Sequence, residues 1–284
     1  MGILRTRMEH DLIVRGRSEH TRRAYVRVVA GLARYYRRSP EQLTEHEVQQ
    51  YVRYLIEERT LAWASCRQAA GALRFFYEVT LGRPRSGFSI PLPKGAKRLP
   101  QILSREEVAR VLDGTANLQH RMLLMTTYAA GLRVSEVVRV RVSDIDSQRM
   151  LIRVEQGKGK KDRYTLLSPR LLVELRHYYG IYRPAEWLFT DRRRPAPMDP
   201  RSASRIYQAA KRRAGIHKTG GIHTLRHSFA THLLESGIDV VSIQRLLGHA
   251  RVETTAHYLH VTPQHVGVHA SPLDQLPPTP TAPA

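Results

Sequence analysis

Tyr25, Val28, Val29, Leu32 and Tyr36 recur at the three- and four-residue spacing of one helix face, with Ser18 placed ahead of them as a cap. Arg22, Arg23, Arg27 and Arg34 fill the polar side. Val48, Tyr51, Val52 and Leu55 predict a second helix from about Glu45 to Glu58, and Ala69, Leu73, Phe76 and Tyr77 a third over Ala62 to Tyr77. The periodicity then stops. Gly82, Pro84, Gly87, Pro91, Pro93, Gly95 and Pro100 break every repeat, and Arg83, Arg85, Lys94, Lys97 and Arg98 make the stretch basic, as expected of a linker that follows a phosphate backbone.

Beyond the linker, Ser104 and Glu107 form a capping box ahead of Val108, Val111 and Leu112, with Gly114 ending the helix. Leu118 to Ala130 reads as an apolar helix stopped by Gly131. Met150–Val154 and Arg163–Leu167 read as strands joined by a Gly-Lys-Gly-Lys-Lys hairpin. Helical spacing returns over Pro169–Tyr179, Asp199–Ala214, His223–Glu235, Val240–Leu247 and Val252–Leu259. The expected fold is therefore mainly α with a small antiparallel sheet. A helical bundle spans residues 1–82, the basic Pro/Gly linker 83–98 and a mixed α/β unit 99–262; the Pro-rich residues 263–284 are poor in aliphatics and expected to be disordered.

Charge narrows the class. Lys and Arg number 46 against 25 Asp and Glu, a net of +21, and Arg far outnumbers Lys. Residues 1–98 hold 19 basic and 9 acidic side chains and the remainder 27 and 16, so the two parts carry +10 and +11. An excess spread over both parts and built from Arg suits a polyanion, whose phosphates accept the planar guanidinium fork. Cys66 is the only cysteine, which rules out an intramolecular disulfide and leaves a small buried hydrophobe in the third helix. The first twenty residues are charged throughout, and no stretch approaches the roughly 20 apolar residues of a membrane span. A cytoplasmic, nucleoid-associated protein without membrane contact is expected.

The candidate chemistry sits late in the chain. Arg133 lies beside the Gly131 break and ahead of Glu136, a partner for a buried guanidinium. His223 and Arg226 are three apart on one helix face, with His227 on the same stripe. His249 follows the helix stop Gly248, a position that a mere cap also occupies, and Tyr258 lies nine residues further on. Lys158 and Lys160 stand in a Gly-flanked turn that is not a phosphate-binding P-loop, since no G-x-x-x-x-G-K-[ST] occurs. Fourteen histidines invite a metal, yet His223, His227 and His232 come without an H-E-x-x-H pattern or a carboxylate at the required interval. No metal and no cofactor is expected.

Four stretches in order, GLRVSE (131–136), GKGKKDR (157–163), HTLRHSFATHL (223–233) and LLGHARVETTAHYLH (246–260), resemble the tyrosine recombinases, the phage-integrase family that includes the Xer, Cre and integron integrases. The resemblance covers residues 15–262 and implies an N-terminal SAM-like core-binding bundle and a C-terminal catalytic domain. It further implies site-specific breakage and rejoining of double-stranded DNA through a 3′-phosphotyrosyl link, by four protomers on paired sites.

By the same resemblance Tyr258 is the nucleophile, Arg133 and Arg226 clamp the scissile phosphate, and His223 and His249 handle protons and hydrogen bonds. Lys158 protonates the leaving 5′ oxygen, with Lys160 the competitor; His227 and Glu136 remain structural neighbours. Arg201, Arg205, Lys211, Arg212 and Arg213 are expected to meet the major groove, and Arg22, Arg23 and Arg27 to meet DNA from the N-terminal part, alongside Lys94, Lys97, Arg98 and Lys160. A type IB topoisomerase uses a similar residue set, and a non-catalytic DNA-binding relative shares the basic surface. All six motif positions hold the family's residue type, which favours an active enzyme.

Overall fold

The computed structural model describes residues 2–84, 89–91, 101–155, 162–191 and 194–248, with the side chains of residues 194 and 195 excepted. The chain divides into two compact units, residues 1–98 and 99–284. The expectations for Lys94, Lys97, Arg98, Lys158, Lys160, His249 and Tyr258, for the helix over Val252–Leu259 and for the tail lie outside the described residues.

The first unit is a helical bundle of α1 (Gly2–Val14), α2 (Glu19–Tyr36), α3 (Glu45–Glu57) and α4 (Trp63–Phe75). Caps begin α2 and α3: Ser18 Oγ accepts from the Thr21 amide, and Thr44 and Glu47 form a reciprocal capping box. Met8, Leu12, Leu32, Val48, Leu73 and Tyr77 share one core. α1 was not anticipated. It buries only Met8 and Leu12, four residues apart, too thin a stripe to stand out among its charges. The third predicted helix ends as an α-helix at Phe75, and a single π turn, Phe76–Thr80, carries it on. Cys66 is fully buried, as expected.

Arg83 departs from the phosphate-tracking role expected of the linker. Its guanidinium donates to the carbonyls of Leu43 (3.0 Å) and Glu41 and lies 5.3 Å from the centre of the Tyr77 ring. It pins the end of the bundle instead.

The second unit opens with α5 (Arg105–Asp113), α6 (Leu118–Ala129) and the short α7 (Val134–Val137). The Ser104–Glu107 capping box forms as read from the sequence. Three antiparallel strands follow, β1 (Ile145–Asp146), β2 (Leu151–Val154) and β3 (Arg163–Leu166), with Ile152 opposite Thr165 and Val154 opposite Arg163. Next come α8 (Pro169–Tyr182), the two-stranded pair β4 (Thr190–Asp191) and β5 (Arg194–Pro197), then α9 (Pro200–Arg213), α10 (His223–Glu235) and α11 (Val240–Leu247). β2, β3 and the helices were legible; β1 and β4, two residues each, are too short for alternation to register, and β5 contains Pro195 and Pro197, which argue against a strand.

α6 forms the centre of this unit, with Met122, Leu123 and Leu124 fully buried among residues of α5, α8 and α9. A smaller cluster, Phe229, Ala230, Leu234, Ile243 and Leu247, packs α10 against α11. Among the described residues, no helix is long and apolar enough to cross a membrane.

Candidate active site

Gly131 breaks the chain after α6 with φ of +61°, a left-handed turn in which a Cβ would stand 2.4 Å from the Phe229 ring. The turn delivers Arg133 to the start of α7, where its amide donates to Glu136 Oε2 (2.8 Å) and its Nη1 to Glu136 Oε1 (2.6 Å). Arg226, on the first turn of α10, is 1% exposed and donates from Nη1 to the Gly131 carbonyl (2.7 Å) and, at a longer 3.5 Å, to Glu136 Oε2. The two arginines expected to act together therefore meet over one carboxylate.

A third arginine joins them. Arg163, the first residue of β3, grips Glu136 with both ends of its fork, Nη1 to Oε1 at 2.9 Å and Nη2 to Oε2 at 2.8 Å. The sequence reading missed it as a site residue and placed it in a strand. The signal available was an arginine where β3 alternation puts the side chain on the same face as the buried Thr165. Glu136 is accordingly more than a neighbour: it is the common counter-ion. Burial alone would raise its carboxyl pKa, but the hydrogen bonds and charge of Arg163, the Arg133 amide and the Arg133 charge hold it at about 2.

The same arginines cap the end of α11. Arg163 Nε donates to the Leu246 carbonyl (3.0 Å), Arg226 Nη2 to Leu247 (2.6 Å) and Arg133 Nη2 to Gly248 (3.5 Å). Three successive carbonyls that a helix end leaves unpaired are thus met by cations, which also suit the negative end of the helix. Gly248 closes the helix at φ +63°, and a Cβ there would lie 2.7 Å from Arg163 Cδ. His249 is the next residue in the chain.

His223 and His227 stand edge-to-face on α10, ring centres 5.1 Å apart. His223 is itself exposed to solvent, yet partial desolvation by its surroundings, then the charges of Arg226 and Arg133, lower its imidazole pKa from the ordinary value, against the opposing pull of Glu136. Burial, His223 and Arg226 push His227 down to about 4. The His227 ring is therefore neutral near pH 7, and His223 is shifted toward the same form. His232 does not join them. It lies nine residues from His223, roughly half a turn round the helix, and its Nδ1 is 2.8 Å from the Tyr128 hydroxyl.

Three guanidinium charges against the one carboxylate of Glu136 leave an excess of two positive charges in a largely buried site. Such a site suits a phosphate group whose negative charge rises from one toward two as a five-coordinate phosphorus forms.

On α9, Arg201, Arg205 and Arg212 are exposed, and so is Arg213. Lys211 is not on that face. It is 9% exposed and its ammonium donates to the Lys218 (2.6 Å) and Gly220 (3.5 Å) carbonyls, because its position falls on the α9 stripe shared with the buried Ala203, Tyr207 and Ala210. Its expected DNA contact is replaced by a loop-holding one. On α2, Arg23 and Arg27 are exposed and Arg22 partly so, and Arg23 also pairs with Glu19.

Residues 100–265 match the Phage integrase family, and residues 4–86 match the Phage integrase N-terminal SAM-like domain. The chain belongs to the phage integrase family. A provisionally named integrase/recombinase, y4qK, of Sinorhizobium fredii is 45% identical over 282 residues, covering 99% of this chain and 92% of the relative. The tyrosine recombinase XerA of Thermococcus onnurineus is 34% identical, covering 91% and 90%. Among solved structures, a XerA recombinase aligns at a TM-score of 0.55 with 27% identity over 93% of this chain and 95% of that one. A lambda integrase dimer bound to a core site aligns at 0.74 with 20% identity over 91% and 94%, a likeness of fold. This integrase-family chain shares both the helical first unit and the mixed second unit with those proteins.

Proposed function

We propose that Tyr258 of this tyrosine recombinase attacks a DNA phosphodiester held by Arg133 and Arg226. The P–O bond to the tyrosyl oxygen forms as the P–O5′ bond breaks, leaving a 3′-phosphotyrosyl link and a 5′-hydroxyl. The tyrosyl proton passes to a neutral histidine, His223 or His249, and Lys158 or Lys160 supplies the proton that the leaving 5′ oxygen takes up. The 5′-hydroxyl of the partner duplex then reverses the step and reseals the strand. One bond replaces another at each transfer, so neither metal nor nucleotide enters the balance.

One observation carries this reading: Arg133 and Arg226 converge on Glu136 beside His223, at the helix end that leads into His249. Their weakest contacts, both 3.5 Å long, are the ones a phosphate oxygen displaces, since a charge-assisted bond to phosphate is shorter and stronger. As charge builds on the five-coordinate phosphorus, such donors are worth about 10²–10³-fold each. Desolvation, then the field of Arg226 and Arg133, also lowers the His223 pKa and so favours the unprotonated ring that can accept.

The enzyme breaks and rejoins specific sites in double-stranded DNA, four protomers acting on a pair of sites, at the nucleoid in the cytoplasm. Residues 1–82 and 99–262 supply the two DNA-binding parts and 83–98 the basic linker between them. Arg22, Arg23, Arg27, Arg201, Arg205 and Arg212 carry phosphate contacts within them. Sequencing DNA covalently trapped in cells identifies the site. A supercoiled plasmid bearing two copies should then yield deletion or inversion products. Relaxation without exchange would instead make the protein a type IB topoisomerase.

A further inference from the structure

Arg163 differs from the other two arginines in how its donors are used. Its Nε, Nη1 and Nη2 all donate at 2.8–3.0 Å, to Leu246 and to both oxygens of Glu136, and its side chain is 10% exposed. Arg133 and Arg226 also make short contacts, 2.6 Å from Arg133 Nη1 to Glu136 and 2.7 and 2.6 Å from Arg226 to the Gly131 and Leu247 carbonyls, but each holds a further contact at only 3.5 Å. Glu136 sits at the middle with both oxygens occupied by the Arg163 fork. Without that fork, a buried carboxylate with a strongly favoured negative charge has only Arg133 and Arg226 left to neutralise it.

We infer that Arg163 is a positioning residue for the DNA-cleavage step: by satisfying Glu136 bidentately and tying it to the end of α11, it loosens the hold of Glu136 on Arg133 and Arg226 enough for both to turn toward the scissile phosphate. Arg163 touches no reacting atom. It acts through Glu136, which would otherwise compete with the phosphate for the same two guanidiniums, and through the Leu246 carbonyl, which holds the helix end that precedes His249. Gly248 fits this arrangement, since any side chain there would collide with Arg163 Cδ at 2.7 Å. Lysine cannot replace the arginine, because one ammonium cannot span both carboxylate oxygens and a carbonyl on the far side. The inference rests on the phosphate-clamping roles proposed for Arg133 and Arg226.

The test is single-turnover cleavage of a nicked substrate carrying the mapped site, with DNA affinity measured alongside, for the full chain and three variants. Arg163→Gln should lose about 10²-fold in the rate of covalent adduct formation, the scale expected when a mutation away from the chemistry misplaces the reacting groups. DNA affinity should stay within about threefold, because the wider phosphate contacts are unchanged. Arg163→Lys, which keeps the charge and eases any folding loss, should fall at least about tenfold in rate with the same affinity.

The decisive member is the Arg163→Gln/Glu136→Gln double variant. Removing the competing carboxylate should return about tenfold or more of the rate lost in Arg163→Gln while the thermal midpoint, still lacking the Glu136 counter-ion, does not recover; a purely structural role would move rate and stability together. A double variant no faster than Arg163→Gln, or an Arg163→Gln rate within twofold of the unaltered chain, overturns the inference. If the unaltered chain forms adduct but the adduct is not on Tyr258, the reading of the reaction falls first and this inference with it. An adduct on Tyr258 with an unchanged Arg163→Gln rate refutes the role of Arg163 alone.

Discussion

Glu136→Gln removes one negative charge from beneath three guanidiniums while keeping the side chain's shape. In the native site Oε1 accepts from Arg133 Nη1 and Arg163 Nη1, and Oε2 from the Arg133 amide, Arg163 Nη2 and, more weakly, Arg226 Nη1. A glutamine amide can serve one of these sets. Its NH₂ then faces N–H donors where an acceptor stood, and the charges of Arg163 and Arg226, 10% and 1% exposed, lose their counter-ion. Breaking a buried pair from one side costs about 3–5 kcal/mol. For a folded unit of this size each kcal/mol is worth roughly 2–4 °C, so the thermal midpoint of the full chain should fall by roughly 6–20 °C.

The loss should also depend on pH. Glu136 has its pKa lowered from 4.5 to about 2 in the fold, so its stabilisation is complete above pH 4.5 and disappears as pH falls through 2. Circular-dichroism melts of the two proteins should therefore differ most above pH 4.5 and converge toward pH 2. A deficit below about 1 kcal/mol at pH 7, or one that does not shrink with acid, would refute the idea that this carboxylate holds the arginines together.

Three further outcomes follow from other parts of the site. His227, lowered to about 4 against an ordinary 6.5, contributes stability that is present above pH 6.5 and lost as pH falls through 4; in urea titrations His227→Gln should flatten that slope, and an unchanged slope would mean another group carries it. Gly131→Ala should lower the unfolding free energy from urea titration by at least about 1–3 kcal/mol, the cost of a left-handed non-glycine residue together with overpacking against Phe229, and an unperturbed midpoint would mean the turn relaxes freely. EDTA should leave adduct formation unchanged, since the charge on the phosphate is met by Arg133, Arg226 and a lysine; activity lost in EDTA and restored by Zn²⁺ or Mg²⁺ would return the histidines to a metal.

Much of the fold was written in local signals that survive packing. Ser18, Ser104 and the Gly131 and Gly248 stops mark element ends because each solves a backbone problem at its own position. His223 and Arg226 share a face because three residues on a helix make them neighbours. Arg163 was illegible as a site residue because its partners, Glu136 and Leu246, lie 27 and 83 residues away, and only tertiary packing brings them together. Lys211 and Arg83 misled for a related reason. Basic residues in a basic protein read as phosphate contacts, but Lys211 falls on the buried stripe of α9, and the Arg83 guanidinium reaches carbonyls about forty residues earlier. The π turn at Phe76–Thr80 leaves no pattern, since its apolar residues fit an α-helix equally well.

The reaction itself turns on one hydroxyl. Tyr258→Phe keeps the ring and deletes the nucleophile, so the most direct measurement is the covalent protein–DNA adduct on a nicked substrate of the mapped site, read on a denaturing gel with a binding assay in parallel. The variant should bind that DNA within about threefold of the unaltered chain, since the phosphate contacts are untouched, and form no adduct while the unaltered chain does. An adduct that persists in Tyr258→Phe would contradict the proposed chemistry at its first step.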